Sequence, residues 1–244
     1  MTTQILLATN NGKKLAELRR IIAEQKLDVE VLSLGDVHEY PEPEETEGTF
    51  EGNALIKARE GVKQTGLATL ADDSGLCVDA LGCMPGVRSS RWAGQEHEDI
   101  ANLELVLRQM ADVQPGSRTA QFVSAMALVL PDGREFTTRG EMPGRLNTAA
   151  KGGRGFGYDP IFIADDQVIP EGGHARTNAE LTSADKDAIS HRSKALRAIL
   201  PIMVTALQTL AVEPQDELAA VRPDQGEALT TEADRVPIVE DEEA

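Results

Sequence analysis

Two aspartates, Asp72 and Asp73, directly follow the apolar run of residues 67–71 and directly precede Ser74-Gly75. The run reads as a buried strand, and Ser-Gly as the turn that ends it. Ionised carboxylates are costly to bury unless paired or bound to a metal. A strand end that carries two of them therefore has to meet a cation, and the rest of the fold must supply it. Mg²⁺ suits such a position, because it prefers carboxylate oxygens and commonly works together with substrate phosphates.

The remaining pattern tells what surrounds that strand. Residues 4–8 and 29–34 read as short strands. Between them Leu15, Leu18, Ile21 and Ile22 share one face of a helix over 13–25. A loop rich in Glu and Pro covers 36–48, and Thr49 caps a helix on which Phe50, Ala54, Ala58 and Val62 repeat. A second apolar run spans 76–80, and a Gly/Pro-rich loop 82–94. Ile100, Leu103, Leu107 and Met110 mark another amphipathic helix. Residues 122–130 and 134–142, joined by Pro131-Asp132-Gly133, form a long hairpin. A short strand at 160–163 follows a glycine-rich loop. Thr182 to Asp185 resembles a capping box, and helical pattern continues to Leu210 with a break expected at Pro201. Strands alternating with helices, then a hairpin, imply an α/β domain with a mixed sheet.

The chain has 244 residues, enough for a substantial core, and only 3% are aromatic, so Leu, Ile, Val and Ala must fill it. The formal charge of −17 argues against a nucleic-acid surface. Residues 213–244 alone hold eleven acidic and two basic side chains with three prolines, so residues 212–244 are expected to be a disordered acidic tail after a domain over 1–211. No stretch of 18 apolar residues exists, so neither a membrane span nor a signal peptide is expected. Cys77 and Cys83 are too few for a zinc site or a disulfide framework and read as reduced thiols.

Four further clusters can carry chemistry. Thr9-Asn10-Asn11-Gly12-Lys13-Lys14 turns the first strand into the first helix, where unpaired N–H groups and a positive dipole end suit phosphate. It lacks P-loop spacing, and an ordinary polar corner fits it too. Glu44-Glu45-Thr46 precedes the helix on which Asn53 and Lys57, four residues apart, share a face. Gly152 to Pro160 has four glycines in six residues around Phe156, which can stack a planar base; a structural hairpin loop fits equally. Ser190-His191-Arg192, with Lys186 upstream, puts cationic donors near a helix start or on a basic surface.

Taken in order, these motifs resemble the inosine/xanthosine triphosphate pyrophosphatase family over roughly residues 4–210. The matching segments are Ala8 to Glu17, Gly48-Thr49-Phe50 with Asn53-Ala54 and Lys57-Ala58, and Ala71 to Leu76. Gly82 with Pro85-Gly86-Val87, Gly155 to Phe162, and Ala188 to Arg192 complete them. The resemblance implies an elongated two-lobed α/β fold around a mixed sheet with a central nucleotide cleft. It implies hydrolysis of dITP, ITP and XTP to monophosphate and pyrophosphate with Mg²⁺, in a cytoplasmic homodimer that binds neither nucleic acid nor membrane. By the same resemblance Thr9, Asn10, Asn11, Gly12, Lys13 and Lys14 hold the phosphates with Lys57 and Lys186. Glu45 and Asp73 bind metal, Asp73 is the base with Asp72 beside it, and Ser74 touches substrate. Phe156, Gly157, Tyr158, Asp159, His191 and Arg192 grip the base. Gly52, Arg88, Trp92 and residues 171–178 depart from the family pattern. A pyrophosphatase of modified pyrimidine nucleotides and a non-catalytic nucleotide sensor are the alternatives.

Overall fold

The computed structural model describes residues 3–9, 12–24, 28–94 and 98–210. The acidic tail, 212–244, lies outside them. Among the described residues one seven-stranded sheet organises the chain. At one end β1 (Thr3–Leu7) runs parallel to both β2 (Val29–Leu32) and β3 (Ala68–Val78). Beyond β3 the sheet turns antiparallel through β5 (Thr119–Val129), β6 (Glu135–Leu146) and β7 (Phe162–Ala164), while β4 (Met84–Pro85) pairs with the far end of β3. The mixed sheet and the long hairpin match the expectation from the sequence.

The expected turn after Asp73 is absent. Asp72, Asp73, Ser74 and Gly75 lie in the middle of β3, opposite Met126, Ala125, Ser124 and Val123 of β5. The apolar runs on either side of them belong to this one strand of eleven residues. Pairing with β5 satisfies the backbone in extended form, so no turn is needed. Gly75 is present for a different reason. A Cβ there would fall 2.4 Å from both Gly86 O and Ser89 Oγ, so only glycine admits the close approach of the 86–89 segment.

β3 is flanked unevenly on its other edge. The pairing with β1 stops at Leu70, and that with β4 starts at Cys77. Among the described residues, 71–76 thus have β5 on one side and no strand on the other. The ends of this gap are closed by Ala8 N donating to Leu70 O (2.9 Å) and Leu76 N donating to Ser89 Oγ (2.9 Å).

Side-chain alternation divides the layers. One face carries Leu70, Met126 and Leu128, covered by α1 (Gly12–Glu24) and α5 (His191–Leu210). Farther along the same face, Leu76, Val78 and Phe122 pack with Leu103 and Val106 of α3 (Asp99–Gln109) and with Phe162 of β7. These two cores are the two lobes. The other face carries Ala71 and Ala127, against Ala54 and Ala58 of α2 (Phe50–Thr65). Thr49 caps α2 as expected, its side chain accepting from Gly52 N at 3.1 Å, and Gly66 in left-handed conformation ends it.

The C-terminal helical pattern breaks at Ser190 rather than at Pro201. The short α4 (Ser183–Ile189), capped by the Thr182 side chain, ends where Ser190 takes an extended conformation. Ser190 Oγ then accepts from Ser193 N at 3.1 Å and so starts α5, while Pro201 sits inside that helix. Gly140 of β6 seats the start of α5 tightly, since a Cβ there would lie 2.1 Å from His191 O.

Candidate active site

A cleft of about 1340 Å³ opens along the strandless edge of β3, between the two lobes. An edge stretch lets side chains of both sheet faces reach one opening. Thr9, Gly12, Glu45, Lys57, Asp72, Asp73, Ser74, Phe156, Gly157, Tyr158, Asp159, Lys186, His191 and Arg192 all line it. Asn10, Asn11 and the side chains of Lys13 and Lys14 lie outside the described residues.

Asp73 is the centre of the acidic end. Its side chain faces α2, and it is 7% exposed. Asn53 Nδ2 donates to its Oδ2 at 3.2 Å, and Ser74 N donates to its Oδ1 at 2.9 Å. Burial lifts its pKa; the Lys57 charge pulls back, Glu45 pushes up again, and the result is about 6. Glu45 is held in an ion pair with Lys57 and accepts from Arg91 Nη1 at 2.9 Å. Burial favours its neutral form, yet Lys57 and Arg91 keep its pKa below the ordinary value. Burial also works against the charge on Lys57. The hydrogen bond to Glu45 and the charges of Asp73, Glu45 and Asp72 outweigh it, so the Lys57 pKa is raised.

The adjacent aspartates do not form a pair. As consecutive residues of a strand they face opposite sides of the sheet. Asp72 lies toward α5, bordering Ser124, Met126 and Arg192.

At the other end of the cleft Phe156 is 46% exposed. Lys186 Nζ lies 4.8 Å and the Arg192 guanidinium carbon 5.1 Å from its ring centroid. Arg192 also donates to Ser74 Oγ at 3.0 Å, linking this end to β3. Asp159 is largely buried in the cleft wall; it pairs with Lys186 and accepts from Phe156 N at 3.0 Å, which braces the loop. Tyr158 is buried too, its hydroxyl donating to Ser89 O at 2.8 Å. His191 stacks on Phe122 at 5.0 Å.

Several residues of the cleft were not singled out from the sequence. Arg91, in the Gly/Pro-rich loop, anchors Glu45. Asp99 accepts from Gly157 N at 2.8 Å, and Asn102 ties the 90–93 turn through Ala93 N (2.6 Å) and Ser90 O (3.0 Å). Only Asn102 carried a signal: it is a buried polar residue beside the apolar positions Leu103 and Val106.

The carboxylates suit a hard divalent ion. Glu45 and Asp73 could offer oxygen ligands; Lys57 is ion-paired to Glu45, and its charge acts on Asp73. No group of three or more His, Cys, Asp or Glu side chains gathers around a metal position among the described residues. Two carboxylates that leave the remaining positions to water and phosphate are what Mg²⁺ commonly takes, unlike a cage built wholly from protein.

Fold and cleft together define a class: an α/β protein whose mixed sheet opens a polar cleft along an interrupted strand edge. The chain belongs to the Ham1 family, whose model matches residues 5–202. It is 53% identical to a dITP/XTP pyrophosphatase of Corynebacterium efficiens over 199 residues, 81% of this chain and 96% of that protein. A dITP/XTP pyrophosphatase of Mycobacteroides abscessus is 53% identical over 201 residues, 82% of this chain and 94% of that one. Among solved structures, a nucleoside-triphosphatase / dITP/XTP pyrophosphatase from Mycobacterium abscessus matches with TM-score 0.69 and 52% identity, covering 82% of this chain and all of that one. A HAM1 protein from Coxiella burnetii matches with TM-score 0.72 and 37% identity, covering 85% and 99%.

Proposed function

We propose that the chain hydrolyses non-canonical purine nucleoside triphosphates (dITP, ITP and XTP) to the monophosphate and pyrophosphate, and so removes them from the nucleotide pool. One observation carries this reading. A single cleft holds a buried carboxylate with a pKa near 6, a cation paired to a second carboxylate, and an exposed aromatic ring flanked by two cations. The activity named for the relatives supports it.

A triphosphate brings about four negative charges, and Lys57 and Lys186, with Lys14 by family resemblance, balance them in a partly desolvated cleft. Glu45 and Asp73 would hold Mg²⁺, which would supply charge neutralisation for the phosphates and the departing pyrophosphate. Asp73 takes the proton of the water that attacks the α-phosphorus, and Asn53 and Ser74 N hold its carboxylate in place. No activated Ser or Cys is needed.

The base stacks on Phe156, and Arg192 meets the 6-keto acceptor of hypoxanthine or xanthine. Adenine offers a 6-amino donor there instead, and sites built on such hydrogen bonds reject the wrong edge by up to ~10⁴-fold. A cytoplasmic homodimer belongs to the same proposal, and sedimentation equilibrium checks the dimer.

The test is pyrophosphate release with Mg²⁺ across a nucleotide panel. dITP, ITP and XTP are expected to turn over, with dATP slower by a factor on the order of 10³ or more. Preference for a methylated UTP points instead to the modified-pyrimidine reading. Tight binding with no release points to a sensor.

A further inference from the structure

Behind Asp72, away from the acidic centre, a second small cavity of about 30 Å³ lies between β3, β5 and α5. Its apolar walls are Leu7, Leu18, Met126 and Leu196, and its polar members are Asp72, Ser124 and Arg192. Ser124 is fully buried, and its hydroxyl has no hydrogen-bond partner. The buried Nε of Arg192 likewise has no acceptor. Two unmet polar groups beside one carboxylate are expensive in an apolar wall, at roughly 1–3 kcal/mol each.

We propose that this cavity is a water site that couples Asp72 and Ser124 to Arg192, which makes Ser124 a positioning residue for base recognition. Its volume exceeds the ~10–15 Å³ that one water requires on the same measure, and three polar neighbours are the usual number for a buried water. The hydrogen bonds balance: the water accepts from Arg192 Nε–H and from the Ser124 hydroxyl, and donates to the Asp72 carboxylate. Arg192 is then fixed from behind through Nε and in front through its hydrogen bond to Ser74 Oγ. A guanidinium held at both ends presents its remaining N–H groups in one orientation over the Phe156 ring. This also gives Asp72 a use distinct from that of Asp73. The adjacent aspartates serve the two ends of the cleft, one through α5 and one through α2. The role in base recognition rests on the proposed function, whereas the water site rests on the cavity alone.

The experiment has a structural arm and a kinetic arm. A high-resolution crystal structure of the full chain is expected to show ordered density bridging Asp72, Ser124 and Arg192, and Ser124→Val is expected to abolish it. With dITP, Ser124→Val raises KM about tenfold and leaves kcat within about twofold, the loss of roughly one hydrogen bond. dIMP inhibits the variant about tenfold more weakly, while inhibition by pyrophosphate alone is unchanged. Ser124→Ala, which leaves the water two partners, shows a smaller KM effect. A dry wild-type cavity overturns the proposal whatever the activity. So does a Ser124→Val variant in which kcat and pyrophosphate affinity fall together with KM. Ordered density in a protein that does not hydrolyse dITP supports the water site and refutes the reading of the function instead.

Discussion

Asn53 joins two distant segments through its one side chain: Nδ2 donates to Asp73 Oδ2 at 3.2 Å, and Oδ1 accepts from Glu47 N at 2.9 Å. The strand with Asp73 and the loop before Glu47 are thereby tied to the first turn of the same helix. Replacing Asn53 by Leu leaves a buried carboxylate and a loop N–H without this partner. The variant is expected to lose about 2 kcal/mol of stability and on the order of 10²-fold in kcat/KM, with most of the loss in kcat. Urea unfolding and steady-state kinetics on dITP measure both. A change in KM alone contradicts the bracing role.

Asp73→Asn is expected to remove nearly all turnover while making the metal-free protein more stable. Burial raises the folded pKa of Asp73 from 3.8 to about 6. Below pH 4 both folded and unfolded chains are protonated there, and the residue costs nothing. Between pH 4 and 6 the unfolded chain has released its proton and the folded chain keeps it, so stability falls as pH rises; above 6 the full penalty stands. At ~1.4 kcal/mol per pH unit this amounts to roughly 3 kcal/mol. Unfolding in EDTA at pH 4 and pH 7 checks it. An equal difference between variant and parent at both pH values contradicts it.

Glu45→Gln is expected to raise the Mg²⁺ concentration for half-maximal rate by about tenfold or more. Outer-shell partners alone are commonly worth that much, and a direct ligand should be worth no less. A Mg²⁺ titration of initial rates is the measurement, and an unchanged midpoint contradicts the role as ligand.

Phe156→Ala is expected to raise KM for dITP about tenfold with kcat nearly unchanged, because base–aromatic stacking contributes ~1–3 kcal/mol per base. The ring is half exposed and buttressed by Lys186 and Arg192, so its loss should not unfold the domain. Equal KM values for variant and parent contradict stacking.

Local chemistry was the legible part of the sequence. The Thr49 cap, the Asn53–Lys57 spacing and the Pro131-Asp132-Gly133 hairpin are where local propensity decides the outcome, and there expectation and structure agree. Ser74-Gly75 looked like a turn because polar and glycine residues usually interrupt strands. Tertiary pairing with β5 overrode that, and Gly75 answers to the backbone of Gly86 instead. Pro201 looked like the helix break, yet Ser190, with a side chain able to start a helix, is where the chain turns. Asp159 and Tyr158 were expected to grip the base. Both line the cleft, and the contacts of their loop with Ser89 and Lys186, which no local pattern marks, set how they sit there. Arg91 and Asp99 reach the cleft only through contacts with segments far away in sequence, so no local pattern could mark them.

The most direct measurement is the fate of solvent oxygen when dITP is hydrolysed in H₂¹⁸O with Mg²⁺, read by mass spectrometry of both products. Attack at the α-phosphorus by a water that Asp73 deprotonates puts one ¹⁸O in each dIMP and none in pyrophosphate. Label in the pyrophosphate, or orthophosphate as the first product, would contradict it.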